Sequence, residues 1–404
     1  MLFGGRLCCA GAHTQVHPGG PFDLDPMAEA VLELFALRRP SGKAARGTRR
    51  PAAATAASRG SRRTMGTQRS AGKRGTVPAI DVHAHYFPAA FLKAMAAEGS
   101  PPHFPLDMSN PAAPTVIRGS FRLTLDASYW DLDRRLKAMD AARVTTHALS
   151  LTAPMVHWAP AERGAKLARI YNDAVIEAHT AFPDRYVGCA ALPVQDAALS
   201  LAELKRVEGQ RGIRGVYLPT NLGTRELSHP DLFPIYERCE ALGLPVLLHP
   251  VGVIGAERLA PYYLGNLLGN PFDTTVAAAH FVFGGVLDRF PRLEIVLPHG
   301  GGALPALWGR LQHGQSVRPE TQGVAKRPFG EYLRRFHYDT ITHSPELLRT
   351  LVELVGADRI MLGSDYCFDM GYERPREIIA RLGLSRADQD RMLFGNAARI
   401  LKLD

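Results

Sequence analysis

The sequence predicts a (β/α)8 barrel, of the TIM type, with an insertion after its first strand and a disordered basic tail ahead of it. Three observations carry that expectation. Eight short apolar or β-branched runs alternate with helical patterns across residues 79–404, the rhythm of βα units. Several of those runs end in a histidine or an aspartate, which is where barrel enzymes gather their chemistry. The first run leads into His83-Ala84-His85 rather than the glycine-rich phosphate turn that a doubly wound open sheet wants.

The chain divides at about residue 78, where composition changes. Residues 1–78 are rich in Ala, Gly, Arg, Ser and Pro, and hold no aromatic residue after Phe35. Such a stretch cannot bury enough apolar surface to offset its ordering entropy. An over-extended reading frame, with Met27 or Met65 as the true start, is the plainer reading of it; an acid-poor, Arg-rich transit peptide is the other. A short helix over 20–36 is expected to carry no chemistry. The whole chain of 404 residues has a formal charge of +9. The segment 1–78 contains 13 basic and 4 acidic residues, which leaves 35 of each sign in 79–404. The barrel therefore shows no basic bias, and neither nucleic acid nor membrane is expected as a partner. Five cysteines without a C-x-x-C pair suggest no disulfide framework and a reducing, cytoplasmic setting. The longest strongly apolar run, Val276 to Leu287, falls short of the ~20 residues that a membrane span needs.

The expected strands are 79–85, 145–151, 186–192, 213–219, 245–249, 294–299, 336–341 and 359–363. Helical patterns fall at 128–142, 163–182, 197–210, 229–242, 273–290 and 344–355. Ser128 and Ser344 suit helix N-caps, and Gly243 and Gly356 suit helix ends. Residues 87–127, with Pro101-Pro102 and the prolines at 111 and 114, read as a loop over the barrel mouth. The last helices, near 373–382 and 396–401, are expected to close the outside.

Strand side chains alternate between faces, so His83 and His85 point the same way. Strand five ends at His249, strand six at His299 before Gly300-Gly301-Gly302, and strand eight at Asp365. Each alone is ordinary; four strands ending in a ligand or base is not. Three imidazoles and a carboxylate suit zinc or another first-row divalent ion. We assign His83, His85, His249 and Asp365 as ligands, with water completing the shell. His299 then stands beside that water as acid or base. Strand four, Gly215-Val216-Tyr217-Leu218-Pro219, offers no lysine to bridge a second metal, so one ion is expected.

His83-Ala84-His85, Leu248-His249-Pro250, Pro298-His299-Gly300-Gly301-Gly302 and Gly363-Ser364-Asp365-Tyr366 together resemble the amidohydrolase superfamily. More narrowly, residues 249–319 are similar to the aminocarboxymuconate-semialdehyde and resorcylate-type decarboxylases. The likeness spans about Ile80 to Leu401. It implies non-oxidative decarboxylation of an unsaturated or aromatic carboxylic acid, zinc or manganese, and no organic cofactor. It carries the ligand role to His83, His85, His249 and Asp365, and the catalytic role to His299 with the metal-bound Asp365. It also implies that Arg310 enters the neighbouring subunit of a homodimer to hold a substrate carboxylate, and that Tyr263 lines the pocket. A second carboxylate-binding arginine of the family aligns with Leu125 here, which implies a substrate with one fewer carboxylate.

A hydrolase or hydratase on the same site is the alternative chemistry, and a non-catalytic binder acting through the tail the alternative class. His157, His179, His280, His313 and His337 are expected to be structural. His343 follows strand seven and is a candidate for the mouth. Asp81 shares the parity of His83 and is expected to lie buried below the metal, supporting the site.

Overall fold

The eight apolar runs become eight parallel strands that pair in sequence order: β1 (Ile80–His85), β2 (Thr146–Ser150), β3 (Tyr186–Ala191), β4 (Ile213–Pro219), β5 (Val246–His249), β6 (Ile295–Leu297), β7 (Phe336–Asp339) and β8 (Ile360–Met361). This computed structural model describes residues 77–101, 104–118 and 121–403. The expected tail over 1–78 lies outside the described residues except for 77–78, as does the short helix expected over 20–36. The first and last strands meet through backbone hydrogen bonds from Val82 N to Leu362 O (3.0 Å) and from Asp365 N to His83 O (2.9 Å). The ring thus closes on the two segments that carry most of the candidate ligands.

Helices α1 (Leu132–Ala142), α2 (Ala161–Ala181), α3 (Ala197–Val207), α4 (Phe233–Leu242), α5 (Asn270–Phe283), α6 (Leu304–Val317) and α7 (Pro345–Val355) follow β1 to β7 in turn. The design of α7 is typical. Ser344 accepts a hydrogen bond from Leu347 N at 3.1 Å, Pro345 occupies the first helical position, and Leu348, Leu351 and Val355 bury one stripe. Cap, proline and apolar spacing all select the same start and the same inward face. Outward-facing strand residues such as Val216, Leu248, Ile295 and Phe336 bury against these helices in the main core.

Several boundaries differ from expectation, each for a local reason. Asp131 caps α1 by accepting from Arg134 N, while Ser128 sits in a preceding turn capped by Asp126. The helix expected over 273–290 stops at Phe283, because Gly284 and Gly285 intervene and Gly285 takes a left-handed φ of 69°. The insertion is not a plain loop. It holds a helix, Ala89–Ala97, and a three-stranded antiparallel sheet of Leu106–Asp107, Thr115–Arg118 and Phe121–Thr124.

The last helix, α8 (Asn396–Leu401), does not close the outside. Its Ala397, Ile400 and Leu401 share a separate buried cluster with Ile80, Val187, Leu247, Val296 and Met361. Those are inward-facing residues near the strand starts, so α8 stoppers the barrel at the end opposite the candidate site. None of the described helices is long and apolar enough to cross a membrane. Leu401 is 1% exposed, and Leu401→Ala should cost about 2–5 kcal/mol of stability, as buried leucine truncations do. Guanidinium unfolding measures this, and a loss below about 0.5 kcal/mol, the range of surface substitutions, would contradict the stopper.

Candidate metal centre

A bulge in β1 decides which side chains face the barrel axis. Between Asp81 and Ala84 the pairing with β2 slips, so that Asp81 opposes His147 and Ala84 opposes Leu149. One extra residue on β1 breaks the strict alternation. Val82 therefore joins the inward cluster, yet His83 and His85 also turn inward, with Nε2 atoms 3.0 Å apart. The parity expected of Asp81 with His83 fails for the same reason. Asp81 is buried beside Ser364 and His147 instead. Its carboxylate accepts from His83 N (2.9 Å) and Ser364 N (3.1 Å), and from the Ser364 hydroxyl, stitching β1 to the segment after β8 that carries Asp365. Burial raises the Asp81 carboxyl to about 6, with Ser364 pulling the other way.

His249 from β5 and Asp365 after β8 complete the group. One donor atom from each of His83, His85, His249 and Asp365 lies within 4.8 Å of every other, and all four residues are buried. The ring orientations are held from behind. His83 Nδ1 lies 2.7 Å from Asp339 Oδ2, His85 Nδ1 lies 3.0 Å from Ser150 Oγ, and His249 Nδ1 lies 2.8 Å from Thr152 Oγ1. With Nδ1 of His83 and of His85 occupied, their Nε2 atoms are directed at the shared space, while Thr152 Oγ1 also lies 3.2 Å from Nε2 of His249. Asp365 Oδ1, 3.0 Å from His85 Nε2 and 3.4 Å from His83 Nε2, is buried and accepts no hydrogen bond. Converging lone pairs and an unpartnered carboxylate oxygen are what a divalent cation neutralises, so the donor set fits a single ion.

The electrostatics agree. Burial lowers His85 to about 4 and pushes His249 well below the usual histidine range, with the neighbouring rings adding to both effects. Both shifts favour the neutral imidazole, the form that can bind a metal. Burial alone would raise Asp365, but the surrounding His299, His85 and His83 rings hold it well below the ordinary carboxylate range. Burial also works against protonation of His83, and there Asp339 and Asp365 outweigh it and raise the group.

His299 stands one step away. Its ring centroid is 5.2 Å from that of His83 and 5.5 Å from that of His249, and its Nε2 lies 3.9 Å from Asp365 Oδ2. Its Nδ1 is buried with no hydrogen-bond partner. The strand β6 stops at Leu297, and His299 sits in a tight turn with φ of 55°, followed by Gly300 at 62°, Gly301 at 81° and Gly302 at 64°. Side chains at Gly301 and Gly302 would run into the Tyr338 ring and Pro271 O. The triplet is therefore a backbone device beside the site. A cavity of about 560 Å³ opens from His299 and Asp365, walled by Phe272, Ile341, Leu347 and Met370, and no described lysine or arginine lines it.

Of the other residues singled out, His343 does reach this cavity, its ring 4.8 Å from that of Tyr372. Tyr263 is 39% exposed, and burial with the nearby Asp369 and Asp365 carboxylates lifts its hydroxyl to about 12. Arg310 is exposed on α6, one helical turn beyond the cavity-lining Ala306. His179 binds Tyr186 O, and His337 binds Glu294, both away from the site. Asp339, Ser150 and Thr152 were missed. Asp339 is the last residue of β7, so the strand-end rule that found the others applied to it too.

Residues 80–403 match the family model described as amidohydrolase. The chain belongs to the amidohydrolase family. Within that family, a 2-amino-3-carboxymuconate-6-semialdehyde decarboxylase from Dictyostelium discoideum is 34% identical over 331 residues, covering 80% of this chain and 92% of its own. A gamma-resorcylate decarboxylase from Rhizobium is 30% identical, over 75% of this chain and 97% of its own. Among solved structures, a dihydroxybenzoic acid decarboxylase from Polaromonas, with bound manganese and 2-nitroresorcinol, superposes with a TM-score of 0.68 at 26% identity, covering 81% of this chain and 98% of its own.

This amidohydrolase should hold about one divalent ion per chain, as the closed donor set requires. Elemental analysis of His249→Ala should find that ion largely lost, and chelation should lower the melting temperature of the unaltered protein. Full metal content in the variant would remove His249 from the ligand set.

Proposed function

We propose that this amidohydrolase is a metal-dependent non-oxidative decarboxylase acting on a small aromatic or unsaturated carboxylic acid. The observation that carries the reading is the position of His299. It lies beside the four-residue cage, at the floor of a small cavity, with a buried ring nitrogen that no protein group satisfies. The decarboxylases among its relatives point the same way.

His83, His85, His249 and Asp365 would hold zinc or manganese; the Polaromonas structure, with bound manganese, supports the second. Such an ion supplies positive charge that fixes a carboxylate and an adjoining oxygen. The chain's own residues do the rest. Apolar walls from Phe272, Ile341 and Leu347 flank the carbon skeleton. His299 delivers a proton to the carbon that bears the carboxylate. The bond to the carboxylate then breaks, its electron pair returns to the carbon skeleton, and carbon dioxide leaves. Asp365 would hold the metal, with its Oδ2 facing His299 Nε2 at 3.9 Å.

With no described lysine or arginine on the cavity wall, a second charged substrate group needs a cation from elsewhere. Exposed Arg310 would reach the cavity of a second copy in a homodimer, where its planar guanidinium suits a carboxylate. Tyr263, at the edge of the site, would flank the same substrate. We place the enzyme in the cytoplasm, in line with three free cysteines among the described residues, and give it no organic cofactor and no nucleic-acid partner.

His299→Ala should keep its metal while kcat falls by about 10²–10⁴, the range for loss of a general acid–base. The assay follows carbon dioxide from a panel of hydroxybenzoates and muconate-like acids. Undiminished turnover in the variant would reject the role of His299. Hydration or hydrolysis of the panel without carbon dioxide would favour the alternative chemistry.

A further inference from the structure

The last residue of β7, Asp339, touches both halves of the site at once. It is 1% exposed. Its Oδ2 accepts from His83 Nδ1 at 2.7 Å and from the backbone N–H of His299 at 2.9 Å. Its Oδ1 accepts from Gly300 N at 2.8 Å and Ile341 N at 3.0 Å. Four donors saturate the acceptor sites of one carboxylate. We propose that Asp339 is a positioning residue that ties the hold on the metal to the placement of the proton-transferring histidine.

The first arm fixes a tautomer. By accepting from Nδ1–H, Asp339 leaves the lone pair of His83 on Nε2, facing His85 and Asp365. The second arm fixes a backbone. His299 and Gly300 both adopt left-handed φ values, 55° and 62°, and for a histidine that conformation persists when surrounding contacts over-determine it. Two of those contacts are the Asp339 oxygens. The side chain of His299 springs from that turn, so any shift of the turn swings the imidazole. The same carboxylate thus sets where the His83 lone pair points and where the His299 ring stands. Asparagine cannot substitute: it has one acceptor oxygen, and its NH2 would face N–H donors.

The metal-holding arm stands on the geometry alone, while the catalytic arm rests on the decarboxylase reading above. The test is Asp339→Asn, with Asp339→Glu as a second variant that keeps the charge but displaces the oxygens. Circular dichroism of the metal-free proteins identifies the variants that fold. Affinity for cobalt(II) is read by competition with a chromophoric chelator, and kcat and KM are measured at saturating metal. Asp339→Asn should bind cobalt about 10–100-fold more weakly, the usual cost of losing a ligand's outer partner. At saturating metal its kcat should stay at least about tenfold below that of the unaltered enzyme, with KM little changed, because a misplaced proton donor weakens the transition state and not substrate binding. Glu in place of Asp should fall between the two, and decides the matter if the amide variant does not fold. Unchanged cobalt affinity overturns the first arm. Recovery of full kcat on saturation with metal overturns the second. If the unaltered, metal-loaded enzyme decarboxylates none of the panel, the functional reading fails while the affinity result still decides the first arm.

Discussion

Imidazole nitrogens whose lone pairs converge on one another repel unless something positive lies between them, and most of this structure follows from that constraint. His83 and His85 present Nε2 atoms 3.0 Å apart, each with its Nδ1 already engaged. Asp365 adds a buried, unpartnered oxygen to the same space. In a low-dielectric interior this grouping is costly without a cation and strongly favourable with one. The fold therefore has to hold the four side chains against their mutual repulsion, and its supporting contacts can be read as that restraint.

The restraint is distributed over the barrel. The β1 bulge brings His83 and His85 to the axis although Val82 already faces it. Asp81 binds β1 to Ser364 and so to the segment that presents Asp365. Backbone hydrogen bonds between β1 and residues 362–366 close the ring at the same place. At the far end, α8 fills the barrel interior with Ile400 and Leu401, so the strands cannot collapse inward. Polar chemistry at one rim is thus offset by apolar packing at the other, the usual division in such barrels.

Much of this was legible in the sequence, and the part that was not has a physical reason. The alternation of strands and helices survives in the hydrophobic period, because every strand is buried on both faces. A candidate ligand at a strand end leaves a clear mark, a lone polar residue after an apolar run, and His249 and Asp365 stand out that way. Asp339 ends β7 by the same rule but was hidden by an expected strand running on to residue 341. Ser150 and Thr152 carry no pattern of their own, since their importance comes from the rings they face. The bulge leaves no trace in a period-two reading, which is why Asp81 was put on the wrong face. The fate of α8 was missed because an apolar helix face does not say whether it covers a barrel's side or its end.

The most direct test is anomalous diffraction at the manganese and zinc absorption edges from crystals of the metal-loaded protein. One strong peak should lie within coordination distance of His83 Nε2, His85 Nε2, His249 and Asp365, with His299 close by but outside bonding range. A peak bonded to a different set of side chains, or no peak in protein that carries metal by elemental analysis, would contradict the arrangement on which every later step depends.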